Sequence, residues 1–225
     1  MLGWFSRKLL VLYRIDNHDI NLNSEYEKDI YYEEHIDNAA KAFGSHNTVG
    51  FRKDGDLARK TSFVNMPNGK RYLVDSEVFE SLGTLKFMNL IMPVFTAVSE
   101  GGTLIVDEFD ASIHPRAIMN LINIFHNDEI NIKQAQLIFN THNPIFLNAN
   151  LFRRDEIKFV EYQDESSELY SLSDFGTAKD GVRKGEDYMR NYFVNKYGAI
   201  ADVDFTDIIK DAMNGKVEYH AGTKE

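Results

Sequence analysis

The chain is predicted to be an α/β protein with a mainly parallel sheet flanked by helices, and with a β-hairpin and helix toward its C-terminus. Three features carry that expectation. Thr103-Leu104-Ile105-Val106 is a short apolar run ending in Asp107-Glu108, the form of a central strand covered on both faces. Gln136-Leu137-Ile138-Phe139-Asn140 is a second such run. Between them Ala117, Ile118, Leu121, Ile122, Ile124 and Phe125 form one stripe behind His114-Pro115, the pattern of an amphipathic crossover helix.

Composition sets outer bounds. The 225 residues, 43% hydrophobic with 16 Phe and 11 Tyr, can bury a substantial core. A net charge of −10 argues against a general electrostatic footprint for nucleic acid, which is not the expected partner. With no cysteine there is no disulfide framework and no thiolate chemistry. The N-terminal run Leu9-Leu10-Val11-Leu12 is too short for a signal core or a membrane span, so a soluble cytoplasmic protein without a membrane partner is expected.

Along the chain, residues 1–60 are expected to form a helical or irregular segment, with helix-like stretches at Trp4–Tyr13 and Tyr26–Phe43 and no chemical motif. Short β-like pieces follow at Thr48–Arg52, Thr61–Val64 and Arg71–Val74, and Met66-Pro67-Asn68-Gly69 turns the last two into a hairpin. Residues 61–175 are expected to be the core. Within it, Ser81 caps a helix whose apolar face runs from Leu85 through Met88, Ile91 and Phe95 to Val98, before Gly101-Gly102. The strand, helix and strand described above come next. A short helix is expected from Asn143-Pro144 to about Phe152, then strands Ile157–Tyr162 and Glu168–Leu172 joined at Asp164–Ser167. Residues 176–225 are a polar tail with a helix at Glu186–Lys196. No internal repeat or low-complexity tract is present.

Three places carry candidate chemistry. Asp107 and Glu108 end the first apolar strand at the edge where a parallel sheet binds ligands; alone, they also fit an ordinary strand end with two solvated acids. His142 ends the second strand, where a lone histidine also fits a group satisfying nearby backbone. Ser81 and Gly83 open a helix, whose free N–H groups can bind an anion or simply be capped by the serine.

Order and flanking residues add a family resemblance. Thr103–Glu108 followed by Phe109-Asp110-Ala111-Ser112-Ile113-His114-Pro115 resembles the Walker B motif and D-loop of ABC-class P-loop ATPases, in the branch that includes RecF, SMC and OLD-like proteins. The branch's pattern is close to D-E-x-D-x-x-L-H-P, and Ile113 stands here for the leucine. Glu80-Ser81-Leu82-Gly83-Thr84 resembles the divergent signature E-S-x-G-T, and Asn140-Thr141-His142 resembles the switch-histidine loop. The likeness extends over about Thr61–Ile200, through Leu151–Ile157, Glu168–Phe175 and Tyr197–Ile200, to bacterial ATP-binding proteins of phage defence and abortive infection.

The resemblance implies ATP and Mg2+ as ligands. It implies that Asp107 holds Mg2+ through water, that Glu108 polarises the attacking water, and that His142 hydrogen-bonds the γ-phosphate. Ser81, Gly83 and Thr84 would meet ATP held by the other subunit of a homodimer, with Asp110 and Ser112 at the interface between subunits. No acidic cluster like that of a TOPRIM nuclease follows His142, so an effector activity is expected from a separate partner protein.

One part of the family's pattern has no counterpart. No G-x-x-x-x-G-K-[ST] phosphate loop occurs; around Gly69-Lys70, Val64 occupies the first glycine's place and Arg71 that of the Ser or Thr. The chain is therefore expected to be the C-terminal part of such an ATPase, whether truncated, split or degenerate, and inactive until completed. Two alternatives remain: an ABC-like interaction module that binds a partner chain, and a metal-dependent hydrolase using Asp107, Glu108, Asp110, His114 and His142.

Overall fold

A computed structural model describes residues 8–13, 20–21, 30–31, 34–54, 57–163, 165–176, 186–200 and 204–213. The chain divides into two compact units, Met1–Phe146 and Leu147–Glu225.

In the first unit, the run Leu9–Leu12 is not helical. It is a strand, β1. Its four residues pair in parallel with Thr103–Val106 from Leu9↔Thr103 to Leu12↔Val106, and Leu12 is buried. An apolar tetrapeptide too short for a stable isolated helix gains more by joining the ladder of a buried strand. Residues 4–7 of the expected helix lie outside the described residues.

Next come β2 (Ile20–Asn21), β3 (Ile30–Tyr31) and α1 (Glu34–Phe43); of the helix expected over Tyr26–Phe43, residues 30–31 are strand, 34–43 are helix, and 26–29 and 32–33 lie outside the described residues. Strands β4 (Thr48–Asp54), β5 (Leu57–Asn65) and β6 (Arg71–Asp75) complete a five-stranded antiparallel sheet. In it β4 lies between β3 and β5, and β5 also pairs with β2 and β6. The segment expected to be helical or irregular thus supplies strands to both sheets of the unit. The β5–β6 hairpin turns at Met66–Gly69 as expected, closed by Gly69 N–H donating to Met66 O at 2.9 Å.

After a single turn, α2 (Ser76–Phe79), comes α3 (Leu82–Glu100). Ser81 caps its start, and Gly101 closes it in the left-handed region at φ 66°. A Cβ on Gly101 would lie 2.6 Å from Lys133 O, so the stop needs glycine for both conformation and space. By length and composition α3 could cross a membrane. Met88, Leu90, Ile91, Val94 and Ala97 are nevertheless buried within the unit, as in the core helix of a soluble domain.

The chain then forms β7 (Thr103–Val106), α4 (Pro115–His126) and β8 (Gln136–Phe139). Together β1, β7 and β8 make a three-stranded parallel sheet in that order, with β7 central and Leu104 and Val106 fully buried. The strand–helix–strand reading matches this arrangement. Beyond it, the helix expected from Asn143 to Phe152 is only a 3-10 turn at Pro144–Phe146. Asn143 and Asn148 explain the stop: their side-chain oxygens accept from Ile145 N–H at 3.2 Å and Asn150 N–H at 2.9 Å, offering the backbone turn partners in place of helical ones.

The second unit is built on the hairpin β9 (Lys158–Gln163) and β10 (Ser166–Ser171). Ile157, Phe159, Leu172, Tyr188 and Tyr197 form its core. Tyr170 Oη donates to Tyr197 O at 2.6 Å, and burial pushes both tyrosine hydroxyls above their ordinary titration range. The expected tail helix is confined to α5 (Tyr188–Phe193), capped by Asp187. A further helix, α6 (Thr206–Met213), lies beyond it.

Candidate functional site

Strand β7 ends where its ladder does. Asp107 N–H donates to Leu12 O at 2.9 Å, and on the other side Asn140 N–H donates to Val106 O at 3.4 Å. The next residue, Glu108, leaves the extended region for φ 50°. For a non-glycine residue that costs about 1–2 kcal/mol, so something must hold it. Part of the answer is Asn140, the residue after β8. Its side-chain Oδ1 accepts from Glu108 N–H at 2.6 Å while its Nδ2 donates to Asp107 Oδ1 at 2.6 Å. A hydrogen bond worth about 1 kcal/mol net is of the same order as the strain it opposes.

The chain then coils tightly. Ala111 N–H donates to Glu108 O at 3.0 Å and Ile113 N–H to Asp110 O at 3.1 Å, with Ser112 at φ 64°. Phe109 anchors this turn from below, fully buried, its ring 4.9 Å from that of Phe139 on β8. His114 ends the turn as the cap of α4, its Nδ1 accepting from Arg116 N–H at 3.2 Å. Asp107 and Glu108 themselves are exposed, as is His142. His142 lies on a loop shaped by Thr141, whose Oγ1 accepts from Asn143 N–H at 2.9 Å.

The start of α3 meets the same turn. A Cβ on Gly83 would lie 2.6 Å from Ser112 O, so only glycine lets the helix approach this closely. Ser81 Oγ accepts from Thr84 N–H at 3.1 Å and lies 2.8 Å from Thr84 Oγ1. Thr84 is buried against its own cap, and the Leu82 and Gly83 amides are the first-turn donors beyond that bond. Glu80, just ahead of the cap, ties it to the antiparallel sheet. Its carboxylate accepts from Asn47 Nδ2 at 3.0 Å, Ser62 Oγ at 2.9 Å and Ser45 Oγ at 3.3 Å.

The structure therefore brings Asp107 and Glu108 together through Asn140, and Gly83 together with Ser112. Asp110 shapes the same turn through its carbonyl. Among the described residues, no three His, Asp or Glu side chains converge as a metal cage. Asn140 and Glu80 were not foreseen as site residues. For Asn140 a signal existed, since it is the polar residue ending the second apolar run; Glu80 stands in the signature-like stretch, but its partners, 18 to 35 residues away, left no local signal.

A parallel sheet flanked by helices, with loops gathered at its carboxyl edge, is an arrangement that the P-loop NTPase fold shares with other α/β folds. A family model described as "AAA domain, putative AbiEii toxin, Type IV TA system" matches residues 5–148, well over half of the chain. The chain belongs to that family, and so carries a nucleotide-binding, ATPase-like domain of a class that binds ATP with Mg2+. The match reaches back into the segment that held no sequence motif and stops at the junction of the two units. No curated protein matches the chain.

Proposed function

We propose that this chain is the C-terminal part of an ATP-hydrolysing domain of the RecF, SMC and OLD-like branch, serving as the ATPase component of a bacterial anti-phage or abortive-infection system. The observation that carries the proposal is the end of β7, where two consecutive exposed acidic residues are tied to the end of the neighbouring parallel strand by one asparagine, Asp107 through its carboxylate and Glu108 through its backbone N–H. The family's description, which names a toxin of a toxin–antitoxin system, supports the defence role.

The residues fit a magnesium nucleotide. Magnesium keeps most of its water shell and needs one or two carboxylates plus substrate phosphates rather than a protein cage. Asp107 is such a carboxylate, with Oδ1 engaged by Asn140 and Oδ2 left for a hydrated ion. When bound, the ion neutralises charge on the transferring phosphate. Glu108 accepts the proton of the attacking water, and His142 hydrogen-bonds the γ-phosphate. The Leu82 and Gly83 amides with Ser81 meet the γ-phosphate of a nucleotide on the second subunit of a homodimer. Thr84 supports that face from behind rather than by contact, because its hydroxyl is buried on Ser81. Asp110 and Ser112 lie in the subunit interface. The cytoplasm is the proposed location, and a separate protein supplies the effector activity.

The lack of any G-x-x-x-x-G-K-[ST] sequence favours a second reading, an interaction module that keeps the ABC-like surface and binds a partner chain without turnover. Calorimetric titration with Mg-ATP separates the two. The chain is titrated alone and after mixing with a separately made segment bearing a phosphate loop. Binding and turnover only on mixing support a completed ATPase. Binding by the chain alone would overturn the need for a supplied loop, and silence in both experiments would favour the interaction module.

A further inference from the structure

The end of β8 reaches four consecutive residues of the β7 end, Val106 to Phe109, through a single residue. Asn140 donates from Nδ2 to Asp107 Oδ1 and accepts Glu108 N–H at its side-chain Oδ1, both at 2.6 Å. Its backbone carbonyl accepts from Phe109 N–H at 3.3 Å, and its own N–H returns to Val106 O at 3.4 Å. Asparagine offers a donor and an acceptor on one planar group held one methylene from the backbone, whereas glutamine places the same amide one methylene further out. Aspartate has only acceptors when ionised, leucine has neither, and serine or threonine would have to serve both partners from one atom near the backbone.

We infer that Asn140 is a positioning residue for the acidic pair: it fixes the rotamer of Asp107 and holds Glu108 in its left-handed backbone conformation, aiming both carboxylates. The inference rests on the ATPase reading for its functional part, and on geometry alone for its structural part. Two features of the structure support a role in aiming rather than general stability. First, Asn140, Asp107 and Glu108 are all exposed, so these bonds do not rescue buried polar groups. Second, the core beneath already has its own anchor in the Phe109–Phe139 ring contact. The strained residue is Glu108 itself, and strain at a carboxylate-bearing position persists only where neighbours over-determine it. Asn140 also lies two residues before His142, so the strand end that aims the carboxylates carries the histidine loop as well.

Two variants separate the halves of the contact. Asn140→Asp keeps an acceptor for Glu108 N–H but sets a carboxylate against Asp107. Asn140→Leu keeps the shape and removes both bonds. Amide hydrogen exchange by NMR on the full chain reads the structural half. In Asn140→Leu, Glu108 N–H is expected to exchange about tenfold faster while the amides of β5 and α3 keep their wild-type rates. In Asn140→Asp, Glu108 stays protected. Under whichever titration condition gives wild-type turnover, both variants are expected to lose about 100-fold in kcat, with KM changed by less than about threefold, because a misaimed group costs the chemical step rather than binding. An unchanged Glu108 exchange rate in Asn140→Leu would overturn the inference, and so would a kcat within about twofold of wild type. If wild type neither binds nor turns over nucleotide, the ATPase reading fails, and the exchange experiment alone then decides whether Asn140 holds Glu108.

Discussion

Glu108 has two properties, an exposed carboxylate and a left-handed backbone at φ 50°, that Glu165 in the turn between β9 and β10 shares at φ 65°. Neither helps the fold, since exposure gives no burial and the conformation costs energy. At Glu108, unlike Glu165, the strained residue follows the central parallel strand, where the proposed role in chemistry would account for it. Glu108→Gln preserves volume, backbone and hydrogen-bond reach while removing the proposed base. In the protein completed by a phosphate-loop segment, it is expected to leave Mg-ATP affinity within about threefold and to lower single-turnover hydrolysis by at least about 100-fold. Unchanged hydrolysis would remove Glu108 from the proposed role. Its neighbours differ in how far the sequence revealed them. Asp107, Glu108 and His142 were visible because ionisable residues at the ends of apolar strands are conspicuous. The strain at Glu108 and its tie to Asn140 were not, because backbone torsions and cross-strand partners depend on which strands become neighbours.

At the scale of elements, the contact between the start of α3 and the turn 107–113 is the most exacting. Gly83 faces Ser112 O with room for no side chain, and both partners are backbone, so neither can swing away. Gly83→Ala is expected to destabilise the first unit by about 1–3 kcal/mol, read as a lower urea midpoint by circular dichroism with an unchanged m-value. A midpoint equal to wild type would show that the turn shifts freely. The helix boundaries were legible because their caps are local: Ser81 and Gly101 for α3, and His114-Pro115 for α4. Strand β1 was not, because a four-residue apolar run suits helix or strand until a partner is present. The loop after Asn143 was misread for a related reason, since asparagine side chains compete with helical bonding and the outcome turns on local geometry.

The whole chain comprises two compact units that meet in sequence at Phe146 and Leu147, and the second has an aromatic core of its own. Separate cores unfold as separate cooperative systems unless they are strongly coupled. Scanning calorimetry is therefore expected to give a calorimetric enthalpy larger than the van't Hoff enthalpy, and a single two-state transition would contradict this division. Where the sequence placed boundaries after residues 60 and 175, the contacts place one after residue 146. By itself, the amino-acid sequence determined the α/β class, the strand–helix–strand unit and the residue types at its carboxyl edge. Those follow from periodicity, caps and polarity, which act over a few neighbouring residues. Only the tertiary structure decided that Leu9–Leu12 pairs with the central strand, that Gly83 touches Ser112, that Glu80 gathers its three donors and that Asn140 holds the acidic pair. Each of these joins residues distant in the chain, and their meeting depends on global packing rather than local preference.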